Sequence, residues 1–183
     1  AKIMLSWLKI AKQYEKPNCI ENLDVNIYLT DVKKKLSSLK QTETLSQKHV
    51  NTAFTYRCHN GSSSITLFRE EDLVKVFIHE TFHTFKFDFD ETCDSHMKKI
   101  FNLNIEFMLF ESYCETWARI IHSIYFSIII DKDNTTINSL ESILALEGSY
   151  SFLQCCKVLN YMNITLLDIL TNSKIAQSRY KQD

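Results

Sequence analysis

Two glycines and one proline in 183 residues leave little with which to build tight turns, so a turn-dense β architecture is excluded and a helix-dominated fold is expected. Metal- or redox-type C-x-x-C pairs are missing too. The six cysteines (Cys19, Cys58, Cys93, Cys114, Cys155, Cys156) include an adjacent pair poorly placed to bridge to itself. They are expected as free thiols in a reducing intracellular compartment, not as a disulfide framework. No apolar run is long enough for a bilayer: the most hydrophobic, Ile120 to Ile130, is short and contains His122 and Ser123. No secretory signal is expected in residues 2–11, where Lys2 and Lys9 interrupt the apolar pattern. Charge of one sign is lacking as well. With a net charge of −1 and scattered Lys and Arg, no basic stripe invites nucleic acid.

What is present suits one globular domain spanning 1–183: 45% of residues are apolar and 12% aromatic, enough for a sizeable core. Spacing predicts a helix over 2–14 and strands over 25–30, 52–58 and 64–69, the last two joined by a hairpin through His59-Asn-Gly-Ser-Ser63. Helices follow at 73–85 and from about 104 to 130, then at 137–146, 149–160 and 164–179. The class is α+β. A small N-terminal twisted sheet and its following helix occupy about 20–90, and a helical half occupies about 104–180. Leu144, Leu146, Phe152, Leu153, Val158 and Leu159 are expected as core. The Lys33–Lys35 run is expected as a solvated face, and His96 in a polar connector.

Within the 73–85 helix lies His79-Glu80-Thr81-Phe82-His83. Residues four apart stack on one helical face, so both imidazoles converge on one point, as the first two ligands of Zn²⁺ must. Glu80, one residue on from His79, stands to the side of that point, where it can take a proton without occupying a coordination position. The competing reading is a core helix with two internally satisfied histidines.

This H-E-x-x-H string resembles the zincin metallopeptidases. The metzincin branch needs Gly and His at the positions held here by Lys86 and Phe89, so it does not apply. The gluzincin branch takes its third ligand from a Glu on a later helix, and Phe110-Glu-Ser-Tyr-Cys-Glu-Thr-Trp-Ala118 offers Glu111 and Glu115, four apart on one face. Two carboxylates beside the apolar Leu103, Phe107, Phe110, Cys114, Trp117 and Ile121 invite a cation. The resemblance implies Glu111 as the third ligand. It implies Glu115 as a hydrogen-bond partner of a ligand histidine, His79, with the two roles exchangeable because Glu115-Thr-Trp-Ala118 also has a gluzincin form. A solvated acidic stripe is the competing account of the pair. Asp88 and Asp90 are expected to turn the chain out of the motif helix more than to bind metal.

The resemblance, which covers about Ile65 to Tyr125, implies zinc-dependent hydrolysis of a peptide or protein substrate with Glu80 as general base. It also implies a sheet whose edge strand takes the substrate. Tyr113, Arg119 and His122 are the nearby candidates for holding the oxyanion, although His122 lies about 16 Å along the helix from Glu111. More loosely, the stretches around both motifs resemble uncharacterised zincin-like proteins of large DNA viruses, which implies host cytoplasm or virion. The rival functions are a non-catalytic zincin-fold structural or virion-associated protein and a helical interaction module with a coincidental motif.

Overall fold

The computed structural model describes residues 1–15, 20–34, 50–89, 94–101, 108–132, 139–171 and 174. Asp90, Cys19, Cys93, Lys35, Leu103 and Phe107, the first part of the helix expected from 104, and all but Lys174 of the expected C-terminal helix after Thr171 lie outside the described residues. The described chain is helix-dominated α+β. In order it runs α1 (Lys2–Tyr14), β1 (Asn22–Ile27), β2 (Ala53–His59), β3 (Ser62–Leu67), α2 (Leu73–Thr84), α3 (Asp94–Phe101), α4 (Leu109–Ile130), α5 (Leu140–Tyr161) and α6 (Leu166–Leu170). It divides into two compact units, the first holding residues 1–34, 51–89 and 110–144 and the second the remainder. No described helix is long and apolar enough to cross a membrane.

The first unit is built on a three-stranded sheet of order β1-β3-β2. β2 and β3 form the expected antiparallel hairpin, closed by Asn60 and Gly61, both with positive φ as a type I′ turn requires. β1 adds to β3 in parallel, Val25 opposite Ile65 and Ile27 opposite Leu67. It therefore starts and ends earlier than the 25–30 alternation suggests. β3 stops at Leu67, so Leu29 has no strand to face and is exposed. Ser63, Ile65 and Leu67 alternate to the buried face of the central strand.

Against this face packs α2, with Val76, Phe77, Ile78 and Phe82 buried, and α1 packs on α2, with Met4, Trp7 and Ala11 buried. Trp7 stacks on Phe82 and donates its indole N–H to Thr81 Oγ1 at 2.7 Å. α4 is buried through small residues, Cys114, Ala118, Ser123 and Ser127.

In the second unit α3 packs with α6, and Thr165 and Asp168 cap α6 reciprocally. His96 is thus on a helix, not in a connector. The two helices expected at 137–146 and 149–160 are one, α5, because a single Gly148 weakens a helix by only about 1 kcal/mol and does not break it. Its expected core residues are not core: Leu146, Phe152, Leu153 and Val158 are exposed and α5 buries nothing. Apolar residues circle this helix with no single face, so no one packing surface can cover them.

Candidate metal centre

The centre is made where α2 faces α4 within the first unit. α2 is helical from Leu73 without interruption, so His79 and His83 project one above the other. Their Nε2 atoms are 3.2 Å apart. Glu111, in the first turn of α4, brings Oε2 to 3.1 Å from His79 Nε2 and 3.3 Å from His83 Nε2. Three ligand atoms thus form a nearly equilateral triangle. Nitrogen and oxygen ligands at zinc distances, in a tetrahedron, lie about 3.3 Å from one another. The donor set therefore fits a zinc ion by both chemistry and size.

The far nitrogens of the two rings face carboxylates, by different routes. His83 Nδ1 is 2.8 Å from Asp88 Oδ2, which also receives Arg57 Nη2 from β2 at 3.0 Å. His79 Nδ1 is 3.4 Å from Glu115 Oε2, within ion-pair range but without hydrogen-bond geometry. The other oxygen of Glu115 accepts from Lys75 Nζ at 2.6 Å and from Arg119 at 2.8 and 2.9 Å. A carboxylate only accepts, so the Nδ1 facing it is the natural proton site of each ring, and a neutral ring would then turn a lone pair on Nε2 into the triangle. Three acceptors at that spacing repel unless a proton or a cation lies among them.

The electrostatics show this. Burial alone would lower the pKa of both histidines. In His83 the contacts with Cys114, Glu111 and Asp88 overcome burial and push it up to about 11. The carboxylates of Glu111 and Glu115 likewise raise His79. Hydrogen bonds from both rings hold Glu111 well below the carboxylate range, and Glu115, against its own burial, is brought down to about 2 by His79, Lys75 and Arg119. The triangle without metal is held by protons that a divalent cation would replace.

Glu80 is buried and turned towards the sheet, where Thr55 Oγ1 of β2 donates to its Oε2 at 2.5 Å. Burial raises its pKa, and the Thr55 hydroxyl and the two histidines act against that rise. The result is a carboxylate whose basicity is lifted, beside two metal-ligand candidates.

His79, Glu80, His83, Glu111 and Glu115 are thus gathered at one place, Glu111 on both Nε2 atoms and Glu115 on the far nitrogen of His79. The oxyanion candidates are engaged otherwise: Arg119 on Glu115, His122 stacked with Phe126, and Tyr113 among Phe82, Phe89 and Trp117. Sequence reading missed Thr55, Arg57 and Lys75, which lie outside the motif. Lys75 carried one signal, interrupting the otherwise apolar run Leu73 to Ile78 four residues before His79. It also gave Asp88 only a chain-turning role.

The chain matches no known protein family, no curated protein and no solved structure.

Proposed function

We propose that this chain is a zinc-dependent peptide hydrolase of gluzincin type, with His79, His83 and Glu111 as the metal ligands and Glu80 as general base. The observation that carries the reading is the triangle of His79 Nε2, His83 Nε2 and Glu111 Oε2, with edges of 3.1, 3.2 and 3.3 Å. Zinc bound there supplies a water of lowered pKa and polarises a substrate carbonyl.

The residues around it divide the remaining work. Glu80, its carboxylate fixed by Thr55 and its basicity lifted by burial, receives a proton from the attacking water. It returns that proton to the leaving amine, so water adds across the C–N bond with no net proton gained. Glu115, with Lys75 and Arg119 on its other oxygen, keeps the His79 ring turned to the triangle. β2 pairs only with β3 among the described strands, and its free edge belongs to the strand that carries Thr55. An extended peptide added to that edge is held by its backbone, which suits a peptide substrate.

Elemental analysis of the purified chain tests the metal, with about one equivalent of zinc expected in wild type and a loss in His83→Ala and Glu111→Ala. Glu80→Gln should keep the metal and lose peptide hydrolysis. A wild-type chain that takes up no zinc after reconstitution under reducing conditions would remove this reading.

A further inference from the structure

α2 does not simply run out. Lys86 adopts the left-handed conformation (φ 56°), Phe87 N–H bonds back to Phe82 O at 2.9 Å, and Lys86 N–H bonds to His83 O at 3.3 Å. This is a Schellman stop, complete with its apolar contact, here the Phe82 and Phe87 rings edge to face. The stop folds the chain back over the last turn of α2. Asp88, the next residue, consequently arrives at the far nitrogen of His83 although it lies beyond the helix.

His83, Asp88 and Cys114 also lie close enough together to suggest a second ion. Two distances argue otherwise. His83 Nδ1 and Asp88 Oδ2 are 2.8 Å apart, the length of a hydrogen bond and well short of the ~3.3 Å between ligands of one metal. The same Asp88 oxygen is already engaged by a cation, Arg57, at 3.0 Å. Cys114 Sγ is more distant, 3.9 Å from Nδ1. The cluster is a hydrogen-bonded support.

We propose that Asp88, clamped by Arg57 of β2, is the positioning residue of His83: it accepts the Nδ1–H and so commits the Nε2 lone pair to the metal. This rests on the metal-centre reading given above. The assignment distributes the support of the two ligand histidines between different elements, Glu115 of α4 behind His79 and Asp88 of the exit turn behind His83. Asp88 and His83 side chains are each 9% exposed whereas Arg57 is 59% exposed, so the inner link should matter more than the outer one.

The test is zinc affinity of the full chain, by competition with a chromogenic chelator, alongside thermal melting of the metal-free protein. Asp88→Ala should weaken zinc about ten- to a hundredfold. Asp88→Asn, whose amide oxygen still accepts from Nδ1 but carries no charge, should fall between it and wild type. Arg57→Ala should weaken zinc about two- to fivefold, and that loss should vanish in the Asp88→Ala background because Arg57 acts through Asp88. Unchanged zinc affinity in a cooperatively melting Asp88→Ala overturns the proposal, as does an Arg57→Ala effect that persists without Asp88. Should Asp88→Ala fail to melt cooperatively, Asp88→Asn decides: partial weakening upholds the role and wild-type affinity overturns it. A wild-type chain that binds no zinc instead overturns the metal centre itself, an outcome separate from these.

Discussion

α2 and α5 are opposites. α2 carries Lys75, His79, Glu80, Thr81, His83 and Thr84 in 12 residues, and all of these but His79 are buried. α5 is 22 residues long, rich in Leu, and buries none of its residues. Hydropathy alone does not separate the two. Partners account for much of the difference: Lys75 has Glu115, Glu80 has Thr55, Thr81 has Trp7, His83 has Asp88, and the Thr84 hydroxyl bonds back to Glu80 O at 2.9 Å. A polar group can be buried when its hydrogen bonds are supplied, whereas an apolar one without a complementary surface stays in water.

The contrast can be broken most severely at the chemistry of α2. Glu80→Gln keeps the helix and its packing, and under the proposed function peptide hydrolysis should fall by about 10²- to 10⁴-fold, measured at saturating zinc. Next comes the core. Phe77→Ala should destabilise the metal-free protein by about 3–5 kcal/mol in denaturant titration, while Phe152→Ala on α5 should stay within about 0.5 kcal/mol. Thr81→Val keeps the shape but strands the buried Trp7 indole N–H, and about 1–3 kcal/mol should be lost. At the small end, Lys86→Gly relieves a left-handed residue and Gly148→Ala fills open space on a helix, so each should stabilise by about 0.5–1 kcal/mol.

Acidity sharpens the same comparison, because the titrating groups are on the α2 side. The His83 pKa is raised to about 11, so its proton stabilises the metal-free fold fully below its ordinary value and that support is lost as pH climbs through 11. Glu115, lowered to about 2, contributes above its ordinary value and loses its contribution as pH falls towards 2. At the proposed site zinc would have to displace the His83 proton. Its affinity should therefore rise with pH, about tenfold per unit for each proton displaced, measured by chelator competition across neutral pH.

The elements that position the centre were legible because they announce themselves locally. The i, i+4 histidines need only a helix, and the hairpin needs only Asn60-Gly61 between alternating strands. Glu111 and Glu115 were legible through their spacing on a second helix. The rest depends on distant pairings that one-dimensional periodicity does not carry. Arg57 meets Asp88 across 31 positions and Lys75 meets Glu115 across 40. The exit turn was hidden for a local reason: a Schellman stop usually shows a Gly, and here Lys86 takes its place. α5 misled for the opposite reason, since richness in Leu says that burial would be favourable but not that a surface exists to provide it.

The hairpin has one more bearing on the centre. Thr55 and Arg57 are two residues apart on β2, so they share a face, the one that meets Glu80 and Asp88. Phe54 and Tyr56 alternate to the other face and are exposed. A slip of one residue in the pairing of β2 with β3 would exchange the two sets at once. It would remove the hydroxyl from Glu80 and the guanidinium from Asp88 in a single error, and present two aromatic rings in their place. The Asn60-Gly61 turn and the one-residue register shift between Tyr56 and His59 therefore set that alignment together, and the fidelity of folding there is inherited by the site proposed above.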